Sequence, residues 1–307
     1  MAAVLNSNVA SLWASKNLQG AQNKMAGSVE RLSSGLRINH AKDDSAGLGI
    51  ANALTSQINS ANQGVRNLND GISMVQTAEG AIGAAQEMGQ RILTLATQGA
   101  NGTLSSTDRT SIQSEMRQLI TAIEGIGGRT KFSGNSLLAA ATGGSAATLF
   151  TLQVSNTTTD SISLSDQAFL DIGLGATGSS TIASTVNNAG GQASDLINAI
   201  NAAGVTSATS ATAVTAMQAV QTAATSYITA LSTQRSLLGA YQNQIEFTVN
   251  NTTELASNLS AARSSVQDTD YATETASLTK GQILQQAATA MLAQANQMPN
   301  VILSLLK

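Results

Sequence analysis

A strict alternation of three- and four-residue steps between apolar positions runs through both ends of this chain, and it restricts the fold to long helices paired along narrow seams. One series begins at Leu54, Ile58, Ala61, Val65, Leu68, Ile72 and Val75, passes Glu79, and continues through Ile82, Met88, Ile92 and Leu95 towards Gly99 and Gly102. Asp44 stands where a helix cap belongs, just ahead of Ser45. A helix of about 55 residues, rising 1.5 Å per residue, makes a rod of roughly 80 Å. Ser105 and Asp108 then have the spacing of a capping box. After them Ile112, Met116, Leu119, Ile123 and Ile126 repeat the seam in a shorter helix, with Gly127 and Gly128 as the expected stop.

The most regular seam lies in the other half of the chain: Val220, Ala224, Tyr227, Leu231, Gln234, Leu238, Tyr241, Ile245, Thr248, Thr252, Leu255, Leu259, Ala262 and Val266. Its period and near-equal length predict an antiparallel bundle drawn from opposite halves of the sequence. Closer to the termini, Leu18, Gln22, Met25, Val29, Leu32 and Leu36 form one more seam, and Leu284, Ala288, Met291, Ala295 and Met298 form its counterpart. A single pair of such helices, rich in Ala, Gln and Asn, is marginal in water. These terminal segments are therefore expected to be ordered by assembly with other copies.

The middle of the chain has a different character. Phe150, Leu152 and Val154 alternate with polar residues, residues 156–159 can turn, and Ile162 and Leu164 can return as the second strand of a hairpin. Residues 176–212 are mostly small and polar, with one short helix expected near 195–202. The fold class that follows is mainly α: a long helical coiled-coil bundle formed by the N- and C-terminal segments together, with a small β-hairpin region in the middle.

Composition removes whole classes of function. With 42% apolar, 11% charged and only 3% aromatic residues, the chain suits close helix seams better than a core built on rings. A net charge of −3 supplies no field for nucleic acid. The absence of cysteine removes disulfides, thiolate nucleophiles and Cys-ligated metals. No run approaches the roughly 18 apolar residues of a membrane span, and the first residues lack the basic and apolar regions of a secretory signal. The lone histidine, His40, reads as a loop residue. The Asp43/Asp44 and Asp268/Asp270 pairs read as helix caps, because no nucleophile or base accompanies them. No catalytic constellation, cofactor site or metal site emerges.

Several stretches resemble bacterial flagellin, the filament subunit of the flagellum. They are Leu32-Ser33-Ser34-Gly35-Leu36-Arg37-Ile38-Asn39, Ala41-Lys42-Asp43-Asp44, Asn69-Asp70-Gly71-Ile72-Ser73, Asn258-Leu259-Ser260-Ala261-Ala262-Arg263-Ser264 and Gln282-Ile283-Leu284-Gln285-Gln286-Ala287, in family order at both ends. The resemblance implies inner-core terminal helices at 1–44 and 270–307. It implies an outer-core helical bundle with the hairpin at 45–175 and 213–269, and a short, surface-exposed variable insert at 176–212. It implies a homopolymer outside the cell, exported without a cleavable signal peptide, with an export chaperone, filament cap and hook–filament junction proteins as further partners. The terminal coiled-coil residues Leu18, Met25, Val29, Leu32, Leu36, Leu284, Ala288, Met291, Ala295 and Met298 become assembly candidates.

By the same resemblance Arg91, Leu95 and Glu115 align with contacts to the host sensor, Toll-like receptor five, although Leu93 and Thr94 depart from the recognised pattern. A solvated helix face used in subunit packing is the competing reading of these three. A hook–filament junction protein and a flagellin-like surface adhesin are the alternative functions. The glycines of the first rod, Gly64, Gly71, Gly80 and Gly83, each cost about 1 kcal/mol relative to Ala. Close approach of neighbouring subunits is the expected compensation, so that Gly71 would matter more to assembly than to the monomer.

Overall fold

Where the heptad pattern is sustained, the backbone is helical. The computed structural model describes residues 8–138, 148–157, 159–165, 189–202 and 210–305. In chain order these form α1 (Val9–Ser34), α2 (Ser45–Gly99), α3 (Ser106–Arg129), β1 (Lys131–Phe132), β2 (Asn135–Ser136), β3 (Thr148–Gln153), β4 (Ser161–Ser165), α4 (Ala189–Ala202), α5 (Ser210–Gln267) and α6 (Tyr271–Leu305). The fold is the mainly helical one expected from the periodicity. Two compact units divide the chain, one of Met1–Ile58 with Ser257–Lys307 and the other of Asn59–Ala256. Helices α2 and α5 contribute residues to both.

In the second unit α2 and α5 run antiparallel, as their contacts show. Met217 lies against Gly99, Tyr227 and Ile228 against Gly89, and the Gln86 amide donates to Ser232 Oγ at 3.2 Å. Arg235 donates to Gln86 at 3.1 Å and to Glu79 at 3.2 Å, adding a polar clasp outside the seam. Leu68, Val75, Ile82, Ile92 and Leu95 of α2 meet Val220, Tyr227, Leu231, Leu238 and Ile245 of α5 in one core, joined by Ile112, Met116 and Ile123 of α3. The Ser105/Asp108 capping box is present in both directions. Helix α3 runs through Gly127 and Gly128 to Arg129, slightly beyond the expected stop. Towards the end of the α5 seam the buried position moves from Leu255, which is exposed, to Ala256.

The expected hairpin is present, with Leu152 opposite Ile162 and Phe150 opposite Leu164. Val154, Ile162 and Leu164 are buried, and Asn67 Nδ2 donates to the Gln153 carbonyl at 3.0 Å, tying β3 to α2. This docking corrects the expectation for two of the glycines. A Cβ at Gly64 would overlap the Val154 carbonyl, and one at Gly71 would overlap Leu152, so both glycines admit the hairpin of their own chain. At Gly80 and Gly83 an added Cβ meets nothing within 4 Å.

Two features were not legible in the periodicity. Strands β1 and β2 pair across Ser133 (φ 50) and Gly134 (φ 85), a two-residue turn with both central residues left-handed. Helix α4 begins at Ala189, earlier than expected, and is not wholly a surface element. Its Leu196 and Ile200 are buried, and Gln113 of α3 donates to the Ile200 carbonyl at 2.6 Å. The remainder of the 176–212 insert, up to residue 209, lies outside the described residues.

Gln234 occupies a core position between Leu231 and Leu238 and is only 1% exposed. Neither its amide nitrogen nor its oxygen meets a hydrogen-bond partner among the described residues. An unpaired buried polar group costs about 1–3 kcal/mol.

Three substitutions test this packing by thermal melting of the purified monomer. Gly64→Ala should destabilise by about 1–3 kcal/mol, since the clash is with backbone. Gly80→Ala should stabilise by up to about 1 kcal/mol. Gln234→Leu should also raise the melting temperature, by removing the unpaired amide.

Candidate assembly surface

The first unit is built on a seam of small residues. Along α1 the line facing α6 is Ala14, Leu18, Ala21, Met25, Ser28 and Leu32, of which Ala14, Ala21 and Ser28 are buried. Along α6 it is Leu278, Gly281, Gln285, Ala288, Leu292 and Ala295. The helices are antiparallel. Asn8 Nδ2 donates to the Ala295 carbonyl at 2.7 Å, a Cβ at Gly281 would sit 3.5 Å from Met25 Cβ, and Arg31 lies 3.8 Å from Glu274. Small side chains let the two backbones approach, and they remove little apolar area from water.

This contact sorts the expected assembly residues into two groups. Leu18, Met25, Leu32, Ala288 and Ala295 lie on the line between α1 and α6, while Leu36 lies just beyond α1 and is half-buried. Ala21 and Ser28 fill the positions where the periodicity put Gln22 and Val29, and Gln285 and Leu292 stand in for Leu284 and Met291. Val29, Leu284 and Met291 consequently project to solvent, Met291 with 64% of its surface exposed. Met298 belongs to α6, and its side chain lies outside the described residues.

Other large apolar side chains share this exposure. Of the twelve that stand exposed among the described residues, nine belong to the first unit: Val9, Leu12, Trp13, Val29, Ile50, Tyr271, Ile283, Leu284 and Met291. Leu237, Phe247 and Leu255 are the other three. Leu12, Trp13 and Ile283 fall outside the seams read from the sequence. The single tryptophan, set in an Ala- and Ser-rich helix, is the signal that could have found this face. Full burial of such side chains contributes about 1.5–3 kcal/mol each.

The resembling motifs at the ends of α1 and α6 have physical tasks. Gly35 ends α1 in the left-handed region at φ 72, where only glycine is unstrained, and its N–H donates to the Arg31 carbonyl at 2.9 Å. Leu36 then bridges to Asp268, Arg37 N donates to the Gln267 carbonyl at 2.7 Å, and Thr269 N donates to the Gly35 carbonyl at 2.9 Å. Ile38 is buried beneath Gly47. The two connections leading into and out of the α1–α6 pair are thus stitched together by backbone.

Of the four aspartates expected as caps, Asp44 and Asp270 cap α2 and α6, whereas Asp43 closes the preceding loop and Asp268 accepts from Ser264 Oγ at 2.6 Å. Asp44 Oδ1 accepts from Gly47 N at 2.9 Å. Asp43 Oδ2 accepts from His40 N at 3.0 Å and Asn39 N at 3.2 Å, and these bonds, the His40 one foremost, hold its carboxyl below the ordinary value of 3.8. Asp270 is lowered likewise, first by the Thr273 hydroxyl at 2.7 Å and then by Ala272 N at 2.9 Å. His40 Nε2 lies 2.7 Å from Glu30 on an exposed surface. No group of three His, Cys, Asp or Glu among the described residues could hold a metal ion.

Of the three receptor candidates, Arg91 and Glu115 are brought together. Arg91 Nη2 and Nε donate to Glu115 Oε1 at 2.7 and 3.1 Å, with both side chains about half exposed. Leu95 is 2% exposed, inside the core of the second unit. In this fold it supports the helix from within and presents no surface to a partner.

Comparison with known proteins gives a consistent result. Residues 5–142 match the bacterial flagellin N-terminal helical region, and residues 217–306 match the bacterial flagellin C-terminal helical region. The chain is 37% identical to the flagellin of Bacillus subtilis (strain 168), covering 99% of both sequences. It is 33% identical to polar flagellin F of Vibrio parahaemolyticus, covering 100% of both. Among solved structures, a Vibrio parahaemolyticus protein provisionally named as flagellar hook-associated aligns over 74% of this chain and 100% of its own with a TM-score of 0.52. At 15% identity it speaks for the fold alone.

Acid titration tests the caps. A carboxyl with a lowered folded pKa contributes stability above its unfolded value, and that contribution disappears as pH falls through the folded pKa. Helicity monitored by circular dichroism should therefore decline as pH drops below 3.8. Asp270→Asn, which cannot titrate, should show a smaller decline.

Proposed function

The chain belongs to the bacterial flagellin family, and on that premise we propose how its terminal helices make it a structural subunit of the flagellar filament, polymerising outside the cell into the helical propeller of swimming motility. The observation that carries the assembly reading is the distribution of exposed apolar side chains, concentrated on the unit that holds α1 and α6. Leu18, Met25, Leu32, Ala288 and Ala295 join the two terminal helices of one subunit. Val29, Leu284 and Met291, together with Leu12, Trp13 and Ile283, meet neighbouring copies. An open helical polymer requires only that such contacts be heterologous and not close into a ring. On this reading 1–44 and 270–307 are the inner-core segments, and 45–175 with 213–269 form the surrounding core layer.

The same unpaired faces suit transient partners of export and assembly: the export chaperone, the filament cap and the hook–filament junction proteins. Export without a cleavable signal peptide is compatible with a chain that has no cysteine and a single proline, Pro299, so that crosslinks and slow isomerisation impose little delay. Recognition by Toll-like receptor five, if carried by this region, rests on the Arg91–Glu115 pair, with Leu95 acting only as support.

Polymerisation assays separate the two groups of residues. Met291→Glu and Leu12→Glu should each raise the critical concentration at least about tenfold, since loss of one buried side chain is worth about 1.5–3 kcal/mol and 1.4 kcal/mol is tenfold. The monomer's melting temperature should be unchanged. Filaments forming at the parental concentration in both variants would refute the assignment of this face to neighbouring copies.

A further inference from the structure

The turn between α2 and α3 holds an arrangement that packing does not explain. Asn101, Gly102 and Thr103 are all exposed, and the Asn101 side-chain oxygen accepts two hydrogen bonds, from Thr103 N at 3.1 Å and Thr103 Oγ1 at 3.0 Å. The Gly102 N–H has no acceptor among the described residues, and a Cβ at Gly102 would meet nothing within 4 Å. The Asn101 backbone carbonyl accepts from Arg109 Nη2 at 3.0 Å. Arg109 is 3% exposed, also donates to the Gly99 carbonyl at 3.3 Å, and pairs with no carboxylate among the described residues.

We propose that this turn is a site of self-modification, at which Asn101 loses ammonia through a cyclic imide and is converted mainly to isoaspartate. Solvent hydroxide takes the proton of the free Gly102 N–H, and the nitrogen attacks Asn101 Cγ. Negative charge develops on the Asn101 side-chain oxygen, where the two Thr103 donors already point, the arrangement of an oxyanion hole. As the Cγ–Gly102 N bond is completed, the bond from Cγ to the side-chain nitrogen breaks, and that nitrogen leaves as ammonia after taking a proton from water. The absence of a side chain at Gly102 keeps the approach open.

Water then opens the five-membered imide. Attack at the Asn101 backbone carbonyl carbon breaks its bond to Gly102 N, leaving the chain to run through Cβ and Cγ and freeing an α-carboxylate. The guanidinium of Arg109 already holds that carbonyl oxygen, so it polarises the carbon that water attacks and receives the resulting anion. A buried cation that has only neutral carbonyls as partners thereby gains a carboxylate. The step consumes water, releases ammonia and replaces a neutral amide by one negative charge.

The test incubates the purified full-length protein at neutral pH beside a synthetic peptide spanning residues 92–109. Asn101 is followed by mass spectrometry with fragmentation that separates isoaspartate from aspartate. The folded protein should convert at least as fast as the peptide and with a higher isoaspartate fraction. Thr103→Val, on an exposed position, should slow conversion severalfold in the protein and leave the corresponding peptide unaffected. Arg109→Lys should lower the isoaspartate fraction, with helicity measured alongside to confirm that the turn persists. An Asn101 that stays an amide in the folded protein while the peptide converts would overturn the proposal, as would an unchanged rate in Thr103→Val.

Discussion

Small residues set the terms of the terminal helices. Because Ala14, Ala21 and Ser28 of α1 face Gly281, Ala288 and Ala295 of α6, the two backbones come close, and Leu18, Met25 and Leu32 join them on the line, but Leu12, Trp13, Val29, Ile283, Leu284 and Met291 on the same helices are turned away from the contact. A broader seam of leucines would satisfy both helices within one chain and leave nothing for a neighbour. The narrow seam instead fixes the pair as an antiparallel module, held at its ends by the Asn8–Ala295 bond and by the backbone stitching around Gly35 and Asp268. In the proposed filament, burial of the apolar area left outside would drive association.

The second unit obeys the opposite rule. There α2, α3 and α5 bury their leucines, isoleucines and valines against one another, and the hairpin is admitted by two glycines that leave room for its backbone and for Leu152. Polar groups hold the edges, as in the clasp of Arg235 with Gln86 and Glu79. This unit buries most of its apolar faces, leaving Leu237, Phe247 and Leu255 exposed, whereas the two terminal helices leave eight large apolar side chains exposed among the described residues. A filament subunit needs both properties, a module that folds by itself and one whose faces are completed by other copies.

Much of this was legible in the sequence, and the exceptions have physical reasons. The α2 and α5 seams, the Ser105/Asp108 cap and the two strands of the hairpin could be read because large apolar residues recur at fixed steps between strong turn signals. The α1–α6 line was read one position away on alternate turns, at Val29, Leu284 and Met291. A hydrophobicity pattern favours large residues, while alanine and serine make the closest approach. Gly64 and Gly71 could not be understood without the hairpin, which lies more than eighty residues away in the chain. Strands of two residues, such as β1 and β2, are too short to carry any period.

Hydrogen exchange compared between monomer and polymer tests the central claim most directly. If the terminal helices are completed by neighbouring copies, amides of α1 and α6 should exchange rapidly in the monomer and become strongly protected in the filament. Core amides of residues 59–256 should be protected in both states. Equal protection of α1 and α6 in monomer and filament would mean that one chain already satisfies its terminal helices, and would contradict the account.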